Sequence, residues 1–172
     1  YKATEWLSVF GGGRMNYFTG GYKGFLNAIV KGTDTNLLPL ALNCDQTGWG
    51  LTPVIGADVK LGKLNIGAKY EFKTNLNIEN NTKNLQYPPS AKDMVAPYEH
   101  GVNTPNDIPA MLSIAAAYEF LPVLRASVEY HFYDDKNAGM ANGKQKYLTK
   151  GTNEYLAGIE FDVTKQLTLS CG

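Results

Sequence analysis

His131 shares one side of an extended chain with Glu129 and Arg125, because residues two apart in a strand face the same way. An imidazole among charges is equipped to act as acid, base or ligand, but a lone histidine in such company reads more simply as a hydrogen-bonded lining residue. Gly11-Gly-Gly-Arg14 has the glycine content of a phosphate loop without the strand-loop-helix context that phosphate binding needs. Asp134-Asp-Lys-Asn-Ala-Gly139 resembles half of a calcium loop, yet it lacks the ordered ligand positions and the closing glutamate, and reads as a solvated turn. Cys44 and Cys171 are far apart and His100 is the only other histidine, so neither a zinc cluster nor a disulfide framework is indicated. The chain has no Gly-x-Ser-x-Gly elbow, no phosphate loop and no His-Glu-x-x-His. The expectation is no enzyme activity, no catalytic residue, no metal and no cofactor.

The elements that carry these residues are strands. The 172 residues suit one domain, and 16 Lys plus Arg balance 16 Asp plus Glu, which leaves no basic field for nucleic acid. The apolar fraction of 44% is too high for general disorder. No stretch approaches the ~18 consecutive apolar residues of a membrane-spanning helix, and the opening Tyr-Lys-Ala-Thr-Glu-Trp6 does not read as a signal peptide.

Period-2 alternation dominates. Across 63–78, Leu64, Ile66, Ala68, Tyr70 and Phe72 alternate with Asn65, Gly67, Lys69, Glu71 and Lys73; across 124–133, Leu124, Ala126, Val128, Tyr130 and Phe132 alternate with Arg125, Ser127, Glu129 and His131. Weaker copies cover 108–120, 154–163 and 49–61, a glycine-rich one covers 6–18, and a last strand starts at 166–171. That makes seven strands, the seventh unfinished. Pro53 cannot donate to a ladder and leaves 48–53 uncertain. Tight turns at Gly62, 121–123 and 164–165 alternate with long connections at 21–48, 80–107 and 134–151, so every long loop falls at one end of the sheet.

Long strands with short turns at one end and long loops at the other are the pattern of an outer-membrane barrel. The predicted fold class is all-β: an antiparallel up-and-down transmembrane β-barrel with long extracellular loops and short periplasmic turns. Aromatic residues near strand ends, among them Tyr70, Phe72, Tyr118, Phe120, Tyr130, Phe132 and Phe161, would sit at bilayer interfaces. The opposite face carries both signs of charge. Arg14, Asp58, Lys69, Glu71, Arg125, Glu129 and His131 are the candidate polar lining of the lumen, joined by Lys60, Glu119, Glu160 and Asp162, with pairing across neighbouring strands. A closed barrel leaves no edge in lipid, so seven strands read as part of a larger object. In that setting Asn80-Asn-Thr82, a glycosylation triplet, carries no weight.

The runs Leu64-Asn-Ile-Gly-Ala-Lys-Tyr-Glu-Phe-Lys-Thr74, Asn103-Thr-Pro-Asn-Asp-Ile-Pro-Ala110, Leu124-Arg-Ala-Ser-Val-Glu-Tyr-His-Phe-Tyr-Asp-Asp135 and Gly151-Thr-Asn-Glu-Tyr-Leu-Ala-Gly-Ile-Glu-Phe-Asp162 resemble the carboxy-terminal half of the FadL/TodX outer-membrane transport family, with Leu7-Ser-Val-Phe-Gly-Gly-Gly-Arg-Met-Asn-Tyr17 resembling an upward strand before it. The resemblance covers nearly the whole chain. It implies a fourteen-stranded barrel plugged by an amino-terminal hatch, which passes long-chain fatty acids or other hydrophobic compounds across the outer membrane of a Gram-negative bacterium. On that footing the chain lacks the hatch, the first six strands and the final strand, and the full-length barrel is a monomer embedded in lipid and lipopolysaccharide. The segment 21–48 then becomes the family's fourth extracellular loop, part of an external hydrophobic groove, and Phe25, Leu26, Ile29, Leu37, Leu38 and Leu40 become candidate ligand-binding residues. Packing of these side chains against neighbouring loops or the barrel rim explains them equally well. Two other readings fit the alternation: a soluble lipocalin-like barrel with its apolar face inward, and a small structural or adhesin-like outer-membrane barrel.

Overall fold

A computed structural model of the chain describes residues 1–27 and 39–172. The strands are β1 (Leu7–Leu26), β2 (Leu40–Leu61), β3 (Leu64–Glu71), β4 (Asn77–Gln86), β5 (Asn103–Pro105), β6 (Met111–Leu121), β7 (Leu124–Tyr133), β8 (Thr152–Asp162) and β9 (Thr168–Cys171). The fold is all-β and antiparallel with up-and-down connections, the class of a barrel fragment. Contacts divide the chain into two compact units, the first formed by Tyr1–Arg14, Leu51–Thr74 and Ile108–Gly172, the second by Met15–Gly50 and Asn75–Asp107.

In the first unit the order is β1-β2-β3-β6-β7-β8-β9. Consecutive partners follow from tight turns. Gly62 takes φ +60°, a left-handed value that a two-residue hairpin demands and glycine supplies without steric cost, and Ala57↔Ala68 then fall opposite each other. Pro122 and Val123 close the β6–β7 hairpin, which pairs Ala116↔Val128. In the last turn the Thr164 hydroxyl accepts the amides of Gln166 and Leu167, at 3.2 and 3.1 Å, and sets β9 against β8.

Two of the expected strands are broken. The strand expected over 63–78 stops at Glu71 and resumes as β4 at Asn77; the next pass is broken between β5 and β6, so its main part begins at Met111 rather than near 108. Thr74 and Ile108 bridge this gap with reciprocal amide bonds of 3.0 and 3.1 Å, and the buried Thr74 hydroxyl bonds that of Thr52. Pro53 lies where β2 has finished with one partner segment and not begun the next. Its missing N–H leaves no hole there, while its carbonyl accepts the Phe72 amide at 3.0 Å. β2 consequently runs unbroken through the uncertain 48–53.

The second unit pairs β2 with β4 and β4 with β5, so the connections expected over 21–48 and 80–107 are shorter than their sequence suggests, whereas 134–151 is the full gap between β7 and β8. β1 continues to Leu26, β2 starts at Leu40, and β4 reaches Gln86, because polar residues such as Asn81, Lys83 and Asn84 are as serviceable in a strand with water on one side as in a loop. Residues 87–102 fold into short helical turns, Pro89–Ala91, Lys92–Val95 and Ala96–Tyr98. They bring Ala91 and Val95 into a small core with Cys44, Leu76 and Ile78. Asn80, 1% exposed, fixes this cover: its carboxamide donates to the Pro97 carbonyl at 2.7 Å and accepts from Gln46 Nε2 at 2.7 Å.

Candidate functional site

Register puts the two faces of the first unit's sheet in sharp contrast. On one face the rows run Ile55–Tyr70–Leu112–Phe132, then Ala57–Ala68–Ile114–Tyr130–Tyr155, then Val59–Ile66–Ala116–Val128–Ala157, and, toward the tight turns, Leu61–Leu64–Tyr118–Ala126–Ile159 and Leu124–Phe161–Leu169. Aromatics occupy the outer rows and aliphatics the middle one. Tyr70 and Phe72 meet edge to face at 4.9 Å between ring centres, as do Tyr118 and Phe120, and Tyr130 lies 5.2 Å from Tyr155. This face is uncovered: Val128 is 60% exposed and Tyr155 78%.

The other face gathers the charged candidates. Arg14 and Lys69 both pair with Glu71, at 2.7 and 2.8 Å, and the Glu71 side chain is only 6% exposed. Toward the turns, Arg125 grips Asp162 with both terminal nitrogens at 3.0 Å and Glu160 with Nε at 3.0 Å; the Thr168 hydroxyl also donates to Asp162. His131 stands between two carboxylates, Glu154 at 3.1 Å from Nδ1 and Glu129 at 3.5 Å from Nε2, and the Tyr133 hydroxyl donates to Glu154 at 3.1 Å. Asp58 accepts from Asn65 Nδ2 at 2.8 Å. Pairing across neighbouring strands holds for Arg125 and His131, on β7 and β8, whereas Arg14 of β1 reaches Glu71 of β3 across the intervening β2 and the Lys69–Glu71 pair lies along a single strand.

Four of the expected polar residues, Asp58, Lys69, Glu129 and His131, line one cavity of about 360 Å³, together with Phe10, Met111 and Ser113. These come from β1, β2, β3, β6 and β7, five neighbouring strands whose flat spacing would exceed ~18 Å from first to last. Side chains from all five reach one cavity only if this sheet curls toward its polar face. Gly56 assists: a Cβ there would strike the Phe10 ring and come within 2.7 Å of the Ala68 carbonyl oxygen, so its absence lets the ring lie over the strand. Arg14 and Glu71 border this group through Lys69, while Arg125 belongs to a separate cluster with Glu160 and Asp162.

No family model, curated protein or solved structure matches this chain.

Of the apolar candidates, Phe25, Leu26 and Leu40 lie among the described residues. Phe25 and Leu26, expected in a loop, are the last residues of β1; as neighbours in an extended strand they face opposite ways, and Phe25 is 81% exposed. Leu40 opens β2. Ile29, Leu37 and Leu38 lie outside the described residues. Cys44 is buried in β2 and not in a loop, and Cys171 is exposed on β9. Asp134 accepts from Asn137 Nδ2 within its own turn, and Asp135 accepts the amide of Thr152 at the start of β8.

Sequence reasoning missed Phe10, Ser113, Met111 and Glu154. The signal for Glu154 was present in the alternation of β8, since it faces His131 once the β7–β8 register is known; register depends on the geometry of the 134–151 connection, which alternation does not contain.

Proposed function

We propose that this chain is part of an outer-membrane β-barrel of a Gram-negative bacterium that passes hydrophobic small molecules, fatty acids among them, by shape and polarity without making or breaking bonds. The observation that carries the reading is the pairing of an uncovered apolar face, ordered into aromatic outer rows and an aliphatic middle row, with a polar face toward which the sheet curls. From Phe132 to Leu124 along β7 is eight residues, about 27 Å of strand and roughly 20 Å along the normal at a ~40° tilt, comparable with the ~25 Å apolar band of such barrels. A soluble carrier barrel curls the other way, with its apolar face inside and around the ligand. Lipid and lipopolysaccharide are the partners of the outer face, and the complete barrel is a monomer. The likeness to the FadL/TodX family supports the choice of hydrophobic cargo.

The test is fractionation followed by uptake. Cells expressing the natural gene product should place it in the outer-membrane band of a density gradient, and should accumulate radiolabelled oleate faster than cells lacking it. Recovery in the soluble fraction without detergent, or equal uptake by both strains, overturns the proposal.

A further inference from the structure

The cavity on the polar face has a charge balance of its own. Lys69, its one lysine, shares the single carboxylate of Glu71 with Arg14, which leaves that cluster one positive charge in excess against the two carboxylates of Asp58 and Glu129. Asp58 receives a hydrogen bond from the neutral amide of Asn65, and Glu129 has an imidazole at 3.5 Å which Glu154 holds more closely at 3.1 Å. Among the described residues no lysine or arginine is paired with either carboxylate. Register sets the two in one row, Asp58↔Gly67↔Ala115↔Glu129, with the smallest side chains between them. The result is a trough with a carboxylate at each end, about three strand spacings or ~14 Å apart before curvature. Phe10 and Met111 supply apolar walls, and in the adjacent row the Ser113 hydroxyl is buried without a hydrogen-bond partner.

We propose that this cavity binds an amphiphilic organic cation, its ammonium group at Asp58 or Glu129 and its apolar body along Phe10 and Met111. An alkyl carboxylate entering the same space meets two anions, and Lys69, the lysine of the lining, is already bonded to Glu71. An ammonium instead gains a charged partner at either end. The volume, about 360 Å³, suits a small ligand, near the lower end of the ~300–1,000 Å³ usual for such sites. The inference rests on reading the polar face as the lumen of a conduit for hydrophobic molecules, and it adds one cation-selective cavity in that lumen to the fatty-acid cargo, so oleate uptake and cation binding are separate readouts.

Calorimetric titration of the natural gene product in detergent with hexyltrimethylammonium, hexanoate and 1-hexanol tests it; the short chains limit partition into micelles, and the quaternary cation cannot lose its charge. The cation should bind about tenfold more tightly than hexanoate, with hexanol between them. Asp58→Asn combined with Glu129→Gln should cost about tenfold for the cation and leave hexanol unchanged, which also reports an intact cavity; Glu160→Gln, outside the cavity, should change nothing. Hexanoate binding as tightly as the cation, or a double variant that keeps the wild-type cation affinity, overturns the proposal. Should the natural product be recovered as a soluble protein while cation preference and its loss persist, the membrane reading falls and the cavity assignment stands. Outer-membrane residence without cation preference gives the reverse.

Discussion

Val128→Arg separates the lipid contribution to stability from packing. Val128 sits in the middle row of the apolar face, four residues from Phe132 and four from Leu124, and is 60% exposed. Because little packs on it, enlarging the side chain creates no overpacked core, and in water the substitution should cost little. At the centre of a bilayer an arginine on the lipid face costs about 2–4 kcal/mol, a fall of roughly 30- to 700-fold in the folding equilibrium. Two controls come from the register. Ser127→Arg, one residue away on the polar face, should cost under ~1 kcal/mol, and Leu169→Arg, in the row nearest the tight turns, about 0–1 kcal/mol, since the penalty fades toward the interface. The assay is denaturant titration of protein folded into lipid vesicles, followed by tryptophan fluorescence from Trp6 and Trp49. Equal losses at 127 and 128, or a Val128→Arg loss below about 0.5 kcal/mol, would refute a lipid-facing middle row.

Gly56→Ala should destabilise the first unit by about 1–3 kcal/mol, because the new methyl meets both the Phe10 ring and the Ala68 carbonyl. Phe10→Ala in the same chain should recover part of that loss in a double-mutant cycle, and strict additivity would show that the ring does not lie over Gly56. Asn80→Asp should exceed Asn80→Ala in cost: alanine leaves the Pro97 carbonyl and Gln46 unpartnered for about 1–3 kcal/mol, while aspartate places a carboxylate against that carbonyl. Limited proteolysis within 87–102 should accelerate in the same order, and equal cleavage of both variants and the wild type would contradict the role given to Asn80.

Alternation identified the strands of the first unit because each has one wet and one apolar face, and β7 was placed to the residue. It failed wherever both faces are polar. β4 reads Asn-Ile-Glu-Asn-Asn-Thr-Lys-Asn-Leu-Gln, a loop by composition, yet nine ladder pairs with β2 make it a strand. Phe25 and Leu26 escape it for a different reason: the far end of β1, Gly20-Gly-Tyr-Lys-Gly-Phe-Leu26, is interrupted by glycines and has no alternation to extend. The charged lining was legible as a face, since period 2 fixes which residues share it. Which of those residues meet was not, because Glu71 gathering Arg14 and Lys69, or His131 taking Glu154, depends on register between strands distant in sequence.

The direction of curl is what separates the two environments that alternation leaves open. A half-exposed Val, Ile or Tyr forgoes roughly 1 kcal/mol of burial in water, and about ten such side chains on one face would forgo an amount comparable with the entire net stability of a domain, about 5–15 kcal/mol. A sheet in water relieves that cost by curling over its apolar side. This sheet does the opposite: five strands converge on Asp58, Lys69, Glu129 and His131, and the apolar rows are left on the outside. Charges collected on an inner surface stay inexpensive only if they are paired or wet, and the short contacts of Glu71 and His131 supply the pairing. The proposed hydrocarbon outside would remove the cost of the apolar rows, and a polar, partly paired lining inside most of that of the charges; the Val128, Ser127 and Leu169 series puts this arrangement to measurement.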